Sequence, residues 1–117
     1  MNVNISCLTH LLFLAMNDSD HLIELLIQAL LFPTQRKDLI RDFQRLISED
    51  QEEEKEGTAS EVFGDLAIDL DFYEPDPTKR SEDPSYYGDE RLEEEIRAAF
   101  NKLHTLGVAI PFDRLSD

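Results

Sequence analysis

The side chains able to do chemistry in this chain are overwhelmingly carboxylates, and three of them stand at an instructive interval. Glu61, Asp65 and Asp69 follow one another at four-residue steps, which stacks them along one side of a helix. Carboxylates in such a row can receive a cationic partner, or two of them in an enclosed cleft can act as acid and base. With 26 acidic residues among 117, proximity alone does not select the second use. Other catalytic sets are missing from the sequence. His10, His21 and His104 are scattered, and no His/Cys pair has zinc-ligand spacing. The run from Asp69 through Asp71 begins like a calcium loop. Such a loop needs an oxygen ligand, a glycine and a glutamate where Tyr73, Glu74 and Arg80 stand. Nucleophile motifs, phosphate-cradling loops and dinucleotide fingerprints do not occur in a chain with only four glycines. The expectation is a protein that is not an enzyme and takes no metal or cofactor.

The stripe belongs to residues 61–76, EVFGDLAIDLDFYEPD. At helical spacing Val62, Phe63, Leu66, Ala67, Leu70 and Tyr73 fall on one arc, which predicts a face toward the core. Ile68 and Phe72 project near the carboxylates instead. Pro75 stops the helix, because the residue before a proline is pushed out of the α region. One helix thus carries a core face and an acidic face with two apolar residues set in it. Glu61, Asp65, Ile68, Asp69 and Phe72 are the candidate binding set. A competing reading has the N-terminal segment cover Ile68 and Phe72, which would make both of them core.

Charge narrows the choice of partner. The formal net charge is −15, and residues 49–95 hold 19 acidic side chains against 4 basic ones, while the rest of the chain is balanced. Such a field repels nucleic acid and anionic membrane and attracts a cationic protein. Apolar residues make up 41%, enough for one folded domain of this length. Cys7 is the single cysteine, so no internal disulfide is possible, which fits a reducing cytoplasm. Residues 5–16 are apolar but too short to cross a membrane, and they lack the positive flank of a signal peptide.

Periodicity places the remaining elements. Residues 1–16 form an uncertain extension with a possible short helix, and Met16 offers an alternative start. Residues 17–117 read as a single helical domain. A first helix over about 20–32 is apolar nearly all round, which predicts deep burial. Pro33 ends it, and Thr34 is expected to cap a second helix over about 35–49. That helix turns Leu39, Ile40, Phe43, Leu46 and Ile47 inward, and Lys37, Arg41 and Arg45 outward beside Asp38 and Asp42. The outer face reads as ion-paired rather than as a nucleic-acid surface. The acidic run 49–57 reads as a solvated loop, followed by a third helix over about 59–72 with Thr58 or Ser60 as cap. Three prolines argue against regular structure in 74–88. A last helix over about 90–106 carries Leu92, Ile96, Ala99, Phe100 and Leu103 inward, with Asp89 as cap and Gly107 after its end. The tail is expected to dock as an extended piece through Val108, Ile110 and Phe112. The predicted fold is all-α, a small antiparallel bundle of about four helices.

Tyr73-Glu74-Pro75-Asp76 after a helix, then a basic residue, then Leu92, Glu95, Ile96 and Arg97 in a last helix, make a pattern with a counterpart. It resembles the bacterial self-protective colicin-like immunity proteins, the family of the colicin D immunity protein, over roughly residues 20–106. Lys79 and Arg80 both compete for the family's basic position, and residues 83–86 lengthen the loop. The run 49–57 and residues 1–16 look like additions. The resemblance implies a small cytoplasmic bacterial protein that binds and neutralises a cognate toxin, for the type member an anticodon-loop tRNase. A nuclease that grips RNA presents a cationic groove, and an acidic surface can occupy it in place of phosphates. On this reading Tyr73, Pro75, Asp76 and Arg80 shape the turn, and an ion pair between Asp76 and a basic residue is expected to fix it. Alternatives from other classes are an acidic interaction module or nucleic-acid mimic without a toxin partner, and a hydrolase built on paired carboxylates.

Overall fold

A computed structural model describes residues 18–49 and 57–115. The expected N-terminal extension, Cys7, His10 and most of the acidic run 49–57 lie outside them. The described residues form an all-α bundle: α1 (Asp18–Leu31), α2 (Arg36–Glu49), α3 (Ala59–Asp69), the single turn α4 (Pro77–Arg80) and α5 (Asp89–Thr105). Short 3-10 segments stand at Pro33–Gln35, Leu70–Phe72 and Phe112–Leu115. Among the described residues there is no strand, and no helix is long and apolar enough to cross a membrane.

The core follows the predicted periodicities. Leu26 and Ile27 of α1, Phe43 of α2, Leu70 after α3, and Leu92, Ile96, Phe100 and Leu103 of α5 are its largest fully buried side chains. The rings of Phe43 and Phe63 meet at 6.2 Å, tilted by 59°, and join α2 to α3. α1 packs mainly on α2, and α3 mainly on α5. Removing one of these buried leucines by Leu→Ala would cost about 2–5 kcal/mol.

Helix ends depart from expectation in ways that bear on the site. Pro33 does not simply end α1; it opens a 3-10 turn, and Thr34 sits inside that turn rather than capping α2. α5 has Gly88 at its N-cap position, and Asp89 is its first helical residue with its carboxylate employed elsewhere. The other end of α5 is as expected. Gly107 has φ +91°, its N–H donates to the His104 carbonyl at 3.0 Å, and Val108 N–H donates to the Leu103 carbonyl at 3.0 Å. That pair of bonds is the glycine-dependent closure that satisfies a helix's last carbonyls. Beyond it the tail packs Val108 and Ile110 against the core, but Leu115, not Phe112, is its buried anchor. Phe112 is only partly covered, edge-on to His104 at 5.4 Å. Arg114 ties the tail back to Glu24 of α1 with contacts of 2.5 and 3.1 Å.

Candidate functional site

Thr58, with extended backbone, stands at the N-cap position just before α3. Gly57, at φ +78°, donates its N–H to the Glu61 carboxylate at 3.3 Å. A glutamate in the first helical turn that reaches back in this way satisfies a donor outside the helix. Glu61 therefore has a structural task as well as an acidic charge. At the far end the α geometry gives way to the 3-10 turn Leu70–Phe72, and Tyr73 continues in extended conformation. There it forms a parallel bridge with Tyr87: Tyr87 N–H donates to the Phe72 carbonyl at 3.0 Å, and Glu74 N–H to the Tyr87 carbonyl at 2.8 Å. The Tyr87 hydroxyl lies 2.9 Å from the Asp69 carbonyl and 3.0 Å from its carboxylate, one proton facing two acceptors. Burial, and then the neighbouring Asp69, raise the Tyr87 pKa well above the ordinary tyrosine value. The Arg91 guanidinium stands over the Tyr87 ring at 5.0 Å and donates to Glu95 at 3.3 Å.

Between α3 and α5 lies an open groove of about 220 Å³. Glu61, Asp65 and Asp69 line one side, Glu95 and Lys102 belong to the α5 side, and Val62, Leu66, Ala98 and Ala99 add apolar surface. The predicted stripe is thus brought together, but its members are not equivalent. Glu61 and Asp69 have backbone and tyrosine partners, whereas Asp65 is exposed and makes no hydrogen bond or ion pair among the described residues. Ile68 and Phe72 do not line the groove. They sit outside it, Ile68 67% and Phe72 39% exposed.

The turn after α3 works differently from the expected ion pair. Asp76 caps α4: its carboxylate accepts from the Thr78 N–H at 2.9 Å, and Pro77 fills the first helical position. An aspartate followed by proline is a helix start, so a regular turn stands where the prolines argued against one. Arg80 does not pair with Asp76; it donates to the Glu74 carbonyl at 3.3 Å. A Cβ on Gly88 would clash with its guanidinium. Pro75 is half-buried and follows a chain that has already left the helix by Tyr73. Tyr73 is buried and packs on Tyr87 with ring centroids 6.4 Å apart.

Sequence reasoning missed the polar centre of the molecule, which is Arg36. It is 3% exposed although it carries a charge. Its Nε donates to the Ala29 carbonyl at 2.6 Å and one Nη to the Leu30 carbonyl at 3.1 Å. The guanidinium also donates to Asp89 at 3.0 Å and to Glu93 at 2.7 Å. Ala29 would ordinarily receive the N–H of the residue four ahead, but that residue is Pro33, which has none. Arg36 supplies the donor the proline lacks. Burial alone would lower its pKa; Glu93 and Asp89 outweigh that and the net shift is upward. The Tyr73 hydroxyl completes the centre with a 2.6 Å bond to Asp89. That bond, with Arg36 adding to it against the opposing effect of burial, holds the Asp89 carboxyl below the usual range. One signal was available: Arg36, Ile40, Phe43 and Ile47 share the inward helical register, so a cation stood on a core face.

The outer face of α2 is ion-paired as predicted, Arg41 with Asp38 at 3.9 Å and Arg45 with Asp42 at 3.4 Å. Lys37 instead reaches Glu74 at 3.8 Å. Among the described residues, no three His, Cys, Asp or Glu side chains converge to hold a metal ion. Comparison of the chain with protein-family models, with curated proteins and with solved structures gives no significant match. The class that can be stated is therefore an all-α bundle carrying an acidic interhelical groove.

Proposed function

We propose that this protein is an immunity protein of the colicin D immunity type, which binds a basic toxin nuclease domain and covers its RNA-binding groove. The observation that carries the reading is the pairing of an acidic groove with two apolar side chains left outside the core, all positioned by α3 and its extension. Carboxylates alone steer a cationic partner but supply little affinity at an exposed site. Ile68 and Phe72 add the apolar anchoring that charge does not. Rigid mounting favours such a surface, since little ordering is then left to be done on binding. Support also comes from Tyr73, a residue of the resemblance, whose bond to Asp89 ties the end of α3 to the start of α5.

The test is growth rescue by co-expression with a colicin D-type toxin nuclease domain, followed by binding kinetics. Reversing all three acidic residues would also break the contacts to Gly57 and Tyr87, so Asp65→Lys with Ile68→Ala is the cleaner variant. It should fold normally, associate more slowly and protect poorly. Association of the native protein should slow with added salt, because steering is screened over about 8 Å at physiological ionic strength. A folded double variant that binds and protects like the native protein would refute the proposal.

A further inference from the structure

The bridge between Tyr73 and Tyr87 has a second consequence on its outer side. Tyr73 and Tyr87 turn inward and pack on one another. Their neighbours in the two paired segments are Phe72 and Tyr86, which the bridge sets side by side. Both stay outside the core, Phe72 at 39% and Tyr86 at 37% exposed, and Ile68 stands one turn before Phe72. An isoleucine and two aromatic residues, contributed by separate stretches of chain, thus stand exposed about one end of the bridge. Exposed Asp65 and Asp71 flank Ile68 on the same helix and its extension. The loop 81–86 holds Tyr86 in place through two turns: Tyr86 N–H donates to the Asp83 carbonyl at 3.1 Å, and Ser85 N–H to the Asp83 carboxylate at 2.8 Å.

We infer that Ile68, Phe72 and Tyr86 together form the anchor of the binding surface, and that its occupant is a basic protein face carrying aliphatic side chains among lysines or arginines. The inference deepens the proposed function, and it rests on that reading only for the identity of the partner. Aromatic residues dominate interface energetics, because they remove a large apolar area from water while few torsions are frozen. The carboxylates around the patch choose the occupant. A second copy of this chain, with its own net charge of −15, would be repelled, whereas a cationic face is drawn in. Tyr86 adds something Phe72 cannot, a hydroxyl at the rim of the patch that can meet a polar group of the partner.

The probe is a pair of synthetic peptides with equal length and lysine content, one alternating lysine with leucine and the other lysine with serine. Each is titrated into the isotopically labelled full chain, and amide shifts are followed by NMR. The lysine–leucine peptide should bind about tenfold more tightly, a difference worth about 1.4 kcal/mol. Its shifts should centre on residues 65–72 and 85–87. Phe72→Ala with Tyr86→Ala should remove that tenfold advantage while leaving the weaker lysine–serine binding intact. Should the double variant melt early, Tyr86→Ser alone, confined to the loop, should lose part of the advantage with unchanged melting. Equal affinity of the two peptides, or shifts confined to the groove between α3 and α5, would overturn the inference. So would concentration-dependent self-association abolished by the double variant, or peptide binding seen only after residues 1–15 are removed. Growth rescue separates the two claims: peptide discrimination without rescue would keep the anchor surface and sink the immunity reading.

Discussion

Replacing Arg36 by methionine keeps most of the apolar stem and deletes the guanidinium, so it isolates the polar centre. Two of the four partners are carbonyls at the end of α1, on Ala29 and Leu30, both buried residues. A buried acceptor left without a donor costs about 1–3 kcal/mol, and Pro33 cannot repair the loss at Ala29. The other two partners, Asp89 and Glu93, have side chains 55% and 44% exposed. They can turn back to water, so their share resembles that of surface ion pairs, about 0–1 kcal/mol each. These terms span about 2–8 kcal/mol, and their centre falls in the range of about 3–5 kcal/mol for breaking one side of a buried ion pair. In a domain of this size each kcal/mol lowers the melting temperature by about 4 °C, so the variant should melt about 10–20 °C below the native protein. Arg36→Lys retains the charge but not the planar fork, and should fall between the two. Thermal and urea unfolding followed by far-ultraviolet circular dichroism measure the effect. If Arg36→Met melted within about 3 °C of the native chain, the proposed donor role at the Pro33 break would be wrong.

Four further outcomes are expected. Asp89 and Glu24 both have lowered pKa values, Asp89 chiefly through Tyr73 and Glu24 chiefly through Arg114. Each contributes stability that is present above its unfolded pKa and lost as pH falls through its folded one; urea midpoints should therefore drop below about pH 4, and Asp89→Asn should flatten that drop. Tyr73 and Tyr87 have raised pKa values, chiefly from burial. Their contribution is present below the unfolded pKa and lost as pH rises past it, so tyrosinate absorbance from these two should appear above about pH 10 only as the chain unfolds. Asp76→Ala removes the cap on Thr78 and should cost about 0.5–1 kcal/mol without weakening binding of the proposed basic partner; unchanged melting with lost binding would move Asp76 into the proposed binding surface. Gly107→Ala forces a Cβ into positive φ and should cost about 1 kcal/mol in urea unfolding.

Much of the fold was legible because the core positions repeat at the helical period and the helices are punctuated by residues with one reading. Ile40 and Phe43, Phe63 and Leu66, Leu92 and Ile96 all lie where periodicity puts them, and Gly107 ends α5 as its type requires. What periodicity does not carry is the allocation of polar side chains among several possible tasks. Asp89 has the composition of a cap and stands next to a helix start, yet its carboxylate serves Tyr73 and Arg36 from distant parts of the chain. Asp76 looked like half of an ion pair and is a cap instead. Arg36 drew no assignment from the sequence, which singled out only Lys37, Arg41 and Arg45 as the outward cations of that helix. Only its register with Ile40 and Phe43 separated it from them.

The same limit governs the candidate site. Four-residue spacing established that Glu61, Asp65 and Asp69 share a side of α3, and the structure gathers them in one groove. Spacing could not show that Gly57 engages the first and Tyr87 the last, since neither contact follows from helical periodicity. Nor could it bring Tyr86 to Phe72 across 14 residues of chain, because that neighbourhood is created by one parallel bridge inside a proline-rich loop. A partner meets the folded surface, on which Asp65, Ile68, Phe72 and Tyr86 are exposed while Glu61 and Asp69 also serve contacts of the fold. Substitutions at the first four should therefore alter binding more than folding, and substitutions at the other two should disturb both. Measuring melting and association on the same variants divides the stripe into its structural and recognition parts.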